Sequence, residues 1–138
     1  MLKRNHKRLP AFTLMEALLT LSVVTFLALA TSGSIKTIFS QIQTKLFFLE
    51  FEQVYRETQR LSASRQEETT LVIGSDFVEN PLGRYPLPKT ITPEKTLNIV
   101  FNQYGGNSSL AKVVFQTSEK RVTYQLYLGS GQYQKKTD

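Results

Sequence analysis

Ala11-Phe12-Thr13-Leu14-Met15-Glu16-Ala17-Leu18-Leu19-Thr20-Leu21-Ser22-Val23-Val24 opens the most apolar part of the chain, which runs to Ile35. Residues 17–35 are 19 successive positions without a charge. As a helix from Phe12 to Thr31 the stretch spans about 30 Å, the thickness of bilayer hydrocarbon. Before it stand Lys3, Arg4, Lys7 and Arg8, with no acid among them, and then Pro10. That charge asymmetry puts residues 1–10 on the cytoplasmic side of a membrane. Three readings of the segment stand side by side: a secretory signal peptide, an uncleaved anchor, or a buried core helix. Ala28-Leu29-Ala30 fits a small-x-small cleavage site. A chain of 138 residues, in contrast, has little bulk in which to hide such a helix.

Composition narrows the function classes. Seventeen basic and eleven acidic residues give +6, but residues beyond 11 carry 13 and 11, a net of only +2. The basic excess is thus mostly an N-terminal property, which weakens any reading of the whole chain as a nucleic-acid binder. Cysteine is absent, so disulfides, thiol catalysis and thiolate metal sites are excluded. The single histidine, His6, leaves no basis for a Ser-His-Asp triad or a multi-histidine metal site. Neither an enzymatic activity nor a cofactor nor a metal is expected.

Glu16 sits inside the apolar run with no basic residue at helical spacing, since Lys and Arg do not recur until Lys36. An ionised group inside a membrane costs a few kcal/mol or more and is normally paired. A cut just before Phe12 would create an α-amino group four residues from Glu16, cationic at neutral pH. That amine is a partner for Glu16 of the same chain or of a neighbour.

Lys3-Arg4 followed by Leu9-Pro10-Ala11-Phe12-Thr13-Leu14-Met15-Glu16-Ala17 and an apolar run resembles the class III signal of type IV prepilins and pseudopilins. Phe12, Thr13, Leu14, Met15 and Glu16 match that recognition motif in full. Ala11 stands where Gly is usual, and is small enough for a tight peptidase pocket. The resemblance implies cleavage between Ala11 and Phe12 by a membrane prepilin peptidase, and N-methylation of Phe12. It further implies a single membrane span before assembly, with the N-terminus cytoplasmic, and a place at the cell surface afterwards. In the filament Glu16 would pair with the Phe12 amine of an adjacent subunit and set the axial register, because an unpaired charge in a dry core is expensive. Pro10 suits such a leader by disfavouring helix just before it.

The remainder is read as a helix continued and then a sheet. No proline or glycine occurs from Lys36 to Gln66, and Ile35, Ile38, Phe39, Ile42, Leu46, Leu49 and Leu61 recur at helical steps. One helix is therefore expected over about residues 12–65, apolar all round and then amphipathic. Ser32-Gly33-Ser34 is either a bend or a plain small-residue patch. Phe47, Phe48 and Phe51 are expected to anchor the helix on a sheet rather than to form a binding surface. Thr69–Ile73 is rich in β-branched residues; residues 76–93, holding four of the five prolines, are expected to be loop. Residues 97–102 alternate, residues 104–109 (Tyr-Gly-Gly-Asn-Ser-Ser) are a turn, and 112–117 with 121–128 form a hairpin. The polar tail, 129–138, is expected to fray.

The expected class is α+β: a long N-terminal helix on a small, mainly antiparallel head. Its parts are a leader at 1–11, an assembly helix at 12–35, its amphipathic continuation at 36–66, and the head at 67–138. Gly105-Gly106 lacks the Lys-Ser/Thr of a phosphate loop, and Asp76 and Glu79 read as solvated loop acids. Lys112, Lys120, Arg121, Lys135 and Lys136, interleaved with Tyr124, Tyr127 and Tyr133, are candidates for DNA contact through phosphates and base stacking. Ordinary surface lysines on a tyrosine-bearing sheet are the competing reading.

Within the pilin class, the small size, missing cysteines and Ala-ended leader resemble the competence minor pilins of Gram-positive bacteria. Phe101-x-x-Tyr104-Gly105-Gly106 and the closing Gly129-Ser130-Gly131 also resemble the head of the GspH group of pseudopilins. The implied role is structural. The chain would help to initiate or cap a filament that captures DNA for transformation, with a major pilin and other minor pilins as partners. DNA would be met through the assembled pilus. A minor pseudopilin of a type II secretion system is the nearest alternative. A single-pass anchored binding protein that never assembles, and a secreted protein cut after Ala30, are the others.

Overall fold

The computed structural model describes residues 8–108 and 110–138, with side chains from residue 13 onward. The leader residues Lys3, Arg4, His6 and Lys7 thus lie outside the described residues, as do Ser109 and the side chains of Pro10, Ala11 and Phe12. One α-helix, α1, runs through Arg8–Arg65, 58 residues, including 32–34. It starts two residues ahead of Pro10, so the expectation of an extended backbone just before Pro10 is corrected. A proline in the first turn lacks only an N–H that has no intrahelical acceptor there. At the other end Gln66 takes a left-handed φ of 54°. The Glu67 amide donates back to the Ser62 carbonyl at 3.2 Å. This is a Schellman-type stop made by a residue other than glycine.

The described chain divides into two units between Phe39 and Ser40, and each is described by itself. In the first, the side chains from Thr13 to Ile38 are all exposed. Most of its hydroxyls fold back on the helix: Thr20 donates to the Glu16 carbonyl at 2.9 Å, Ser22 to Leu18 at 2.8 Å and Thr31 to Leu27 at 2.8 Å. Hydroxyls bonded inside the helix in this way are compatible with hydrocarbon.

The second unit joins residues 40–65 of α1 to two antiparallel sheets of four strands. The first holds β1 (Thr69–Ile73), β2 (Phe77–Asn80), β3 (Gly83–Pro86) and β5 (Leu97–Phe101), in the order β3-β2-β1-β5. The second holds β4 (Thr92–Pro93), β6 (Lys112–Gln116), β7 (Arg121–Leu126) and β8 (Tyr133–Thr137), in the order β4-β6-β7-β8. The α+β class is as the sequence predicts, and so are β1, β5 and the β6–β7 hairpin. Two expectations are corrected. Residues 76–93 are not a loop: they contain a hairpin, β2–β3, and the short β4. The tail does not fray: β8 pairs with β7 from Val122↔Thr137 to Leu126↔Tyr133.

The helix is held by aromatic side chains. Phe47, Phe48 and Phe51 lie with ring centroids 5.2, 6.0 and 5.0 Å from Phe115 of β6. Tyr55, one turn on, is 5.0 Å from Phe101 of β5. One face of α1 thus reaches both sheets, and the phenylalanine anchor is confirmed. Polar groups on that face are satisfied. Asn80 donates to the Thr58 hydroxyl at 3.1 Å, while its Oδ1 accepts from the amides of Leu82 and Gly83, closing the β2–β3 turn around Pro81. The Tyr55 hydroxyl donates to the Gly131 carbonyl at 3.0 Å. Gly131 has φ 67°, and a Cβ there would run into Gln59 and the Gly105 carbonyl, so the approach of this turn to the helix requires glycine.

Candidate functional site

The recognition motif falls on the first turns of α1. Leu14 and Met15 are 63% and 71% exposed, and Thr13 and Glu16 are exposed beside them. Glu16 lines a shallow groove along the helix with Thr13, Ala17, Thr20, Leu21 and Val24. Among the described residues its carboxylate makes no ion pair. Around this carboxylate the groove is apolar apart from the hydroxyls of Thr13 and Thr20, and a carboxylate in such a setting invites a cation from outside the segment.

The second feature is a face of α1 that the sequence alone does not assign. The period Ile42, Leu46, Leu49 is exposed (49%, 58% and 62%), whereas Phe47, Phe48, Phe51, Val54 and Tyr55 are buried. The two sets lie on opposite sides of the helix. In the head, α1 is therefore apolar twice over: one stripe is covered by the sheets and the other by nothing among the described residues. In the first unit Ile35, Ile38 and Phe39 are likewise exposed, at 55–61%.

The five candidate DNA contacts do not form one surface. Residues directly opposite in an antiparallel pair share a face. Lys112 lies opposite Gln125 and Lys136 opposite Thr123, on the side of the second sheet that faces away from α1. Arg121 belongs to the same side, and Lys120 is in the turn before it. Lys135 lies opposite Tyr124, on the helix side. Its Nζ is 2.8 Å from Glu52 Oε1 and 5.3 Å from the centre of the Phe48 ring. The stacking tyrosines separate in the same way. Tyr124 is buried, Tyr133 is half-buried on the helix side, and only Tyr127 is exposed, its hydroxyl donating to Gln134 Oε1 at 2.9 Å.

Glu52 of α1, which sequence reasoning did not single out, organises the helix side. Its Oε1 accepts from the Tyr124 hydroxyl at 2.9 Å as well as from Lys135. Burial, then the nearby Glu52 charge and the hydrogen bond donated to it, push the Tyr124 phenol well above its ordinary range. Burial alone takes most of the credit for Tyr55, pushed up to about 12. The carboxylate thus latches β8 and β7 to the helix. Glu52→Ala should cost about 1–3 kcal/mol, the penalty of leaving the buried Tyr124 hydroxyl without its acceptor. Hydrogen exchange followed by mass spectrometry would show it as lost protection in β8, with β1 and β5 unchanged. Equal protection in β8 would mean that the backbone ladder alone holds the strand.

Comparison with known proteins places these features in context. The chain is 46% identical over 121 residues to Competence protein ComGD of Streptococcus pneumoniae (strain ATCC BAA-255 / R6), an alignment covering 88% of this chain and 76% of that protein. No protein-family model matches the chain. No solved structure matches it either.

Proposed function

We infer, from the premise that this chain belongs to the ComGD family of competence proteins, that it is a minor pilin of a DNA-uptake apparatus, a structural subunit rather than an enzyme. The observation that carries the reading is the doubly apolar helix. Its first unit is unburied and long enough to cross a bilayer, with a mean hydropathy of 1.9 in its most apolar window. Its second unit keeps an uncovered apolar stripe opposite the one that holds the head. Length and hydropathy suit the first unit to a bilayer, and the uncovered stripe of the second suits packing against other helices.

On this reading a prepilin peptidase removes residues 1–11 at the Ala11/Phe12 bond and Phe12 is N-methylated. Residues 12–35 hold the subunit in the membrane, N-terminus cytoplasmic, until it joins the pilus at the cell surface. Glu16 then takes the Phe12 amine of a neighbouring subunit. The partners are a major pilin and other minor pilins, and the subunit acts in initiating or capping the filament. A role in protein secretion is not favoured, because the relative is a competence protein.

The test is N-terminal mass spectrometry of the protein from membranes and from sheared surface material. A methylated Phe12 terminus in both, with Glu16→Ala present in membranes but depleted at least tenfold from the sheared fraction, is the expected result. An intact Met1 terminus would leave a plain anchor, a Thr31 terminus ordinary secretion.

A further inference from the structure

Among the described residues, no helix and no strand covers the side of the second sheet turned away from α1. This side is laid out in rows: Lys112, Gln125 and Gln134; Val114, Thr123 and Lys136; Gln116 and Arg121. A hollow on this side is lined by Glu94, Lys95, Lys112, Val114, Arg121 and Thr123. The register sets Lys136 beside Thr123, at the border of the hollow on the β8 side. Four cations, Lys95, Lys112, Arg121 and Lys136, thus surround a floor of short or uncharged side chains, with glutamines along the rows.

The acids of this face are Glu94 and Asp138. Glu94 stands 3.6 Å from Arg121, but both side chains are more than 40% exposed. An ion pair so solvated contributes little, so Arg121 can exchange Glu94 for another anion at small cost. Asp138 exchanges backbone hydrogen bonds with Arg121 at the edge of the sheet. The aromatic inventory is decisive for the kind of ligand. Tyr124 and Tyr133 belong to the helix side, and Tyr127 is a single ring tied through its hydroxyl to Gln134. A run of bases needs successive stacking platforms, and among the described residues this face offers the single ring of Tyr127.

We propose that this uncovered face of the second sheet binds the sugar-phosphate backbone of duplex DNA, through Lys95, Lys112, Arg121 and Lys136, without reading bases. The proposal rests on the DNA-uptake reading above and names the surface and the form of DNA. Lys135 is not part of it. About three or four phosphate contacts give a log–log salt slope of about −3 and a loss of roughly 60-fold in affinity between about 50 and 200 mM salt.

The experiment is lysine-reactivity footprinting of the full chain in a non-ionic detergent, read residue by residue by mass spectrometry. The probes are a 30-base-pair duplex of arbitrary sequence and a single strand of the same length, each about 30 nucleotides long, enough to span the face. Residue resolution keeps any contribution of the basic leader separate. The expected result is salt-sensitive protection of Lys95, Lys112 and Lys136 by duplex, with Lys36, Lys45 and Lys89 unprotected. Lys112→Gln combined with Lys136→Gln should then lower the protection of Lys95 at least fivefold. Equal reactivity with and without duplex overturns the proposal, as does stronger protection by the single strand, which would restore base stacking. Either failure leaves the pilin reading standing, because that depends on the Phe12 terminus and on Glu16.

Discussion

Phe115→Ala lowers the unfolding free energy of the head by about 3–5 kcal/mol, the cost of emptying a large aromatic site in a packed core. Phe115 is fully buried on β6, and four other rings meet it. Phe47, Phe48 and Phe51 approach from α1, and Tyr124 comes from β7 at 6.3 Å. Domains of this size have about 5–15 kcal/mol in total, so the variant is left marginal. Urea unfolding followed by near-ultraviolet circular dichroism of the tyrosines measures the change. Tyr104→Ala is the control: at 81% exposure it should stay within about 0.5 kcal/mol of the parent. A loss below about 1 kcal/mol at Phe115 would mean that the ring cluster is not what fastens α1 to the second sheet.

The legible parts of this fold are those whose burial pattern is periodic. β7 alternates Arg121, Val122, Thr123, Tyr124, Gln125, Leu126, and its buried members are Val122, Tyr124 and Leu126. The same alternation already placed Tyr124 inward, so its candidacy as a stacking platform was readable as wrong from the strand alone. β8 was not legible. Tyr-Gln-Lys-Lys-Thr buries only part of its first residue, because it is an edge strand, and lysines on an edge discourage further pairing. β2 and β3 were hidden by their prolines. Pro81 falls in the turn, whose geometry Asn80 fixes, and Pro86 ends β3, the edge strand of its sheet, where a missing N–H costs nothing. The latch at Glu52 was illegible for another reason. It joins residues 83 positions apart, and only the register of β7 with β8 decides which of two adjacent lysines faces the helix.

The helix poses the same problem in a sharper form. Periodicity reports that a face is apolar, not what covers it, and α1 has two such faces. Leu46→Asp separates them. The side chain is 58% exposed and lies opposite Phe48 and Phe51, so the variant should fold with its head stability within about 0.5 kcal/mol of the parent. In a filament the same stripe would be enclosed by other helices. An unpaired carboxylate there costs about 3–5 kcal/mol, since burial removes its water and supplies no cation. At about 1.4 kcal/mol per tenfold, that is a loss of more than 100-fold in incorporation. Quantifying the subunit in sheared surface fractions against its level in membranes measures the effect, and Leu46→Met, which keeps the volume, should incorporate normally. Incorporation of Leu46→Asp at the parent level would show that the stripe stays in water, and the uncovered face would then need no partner at all. Loss of incorporation with an intact head would instead assign the two faces of one helix to two different jobs, one within the subunit and one between subunits.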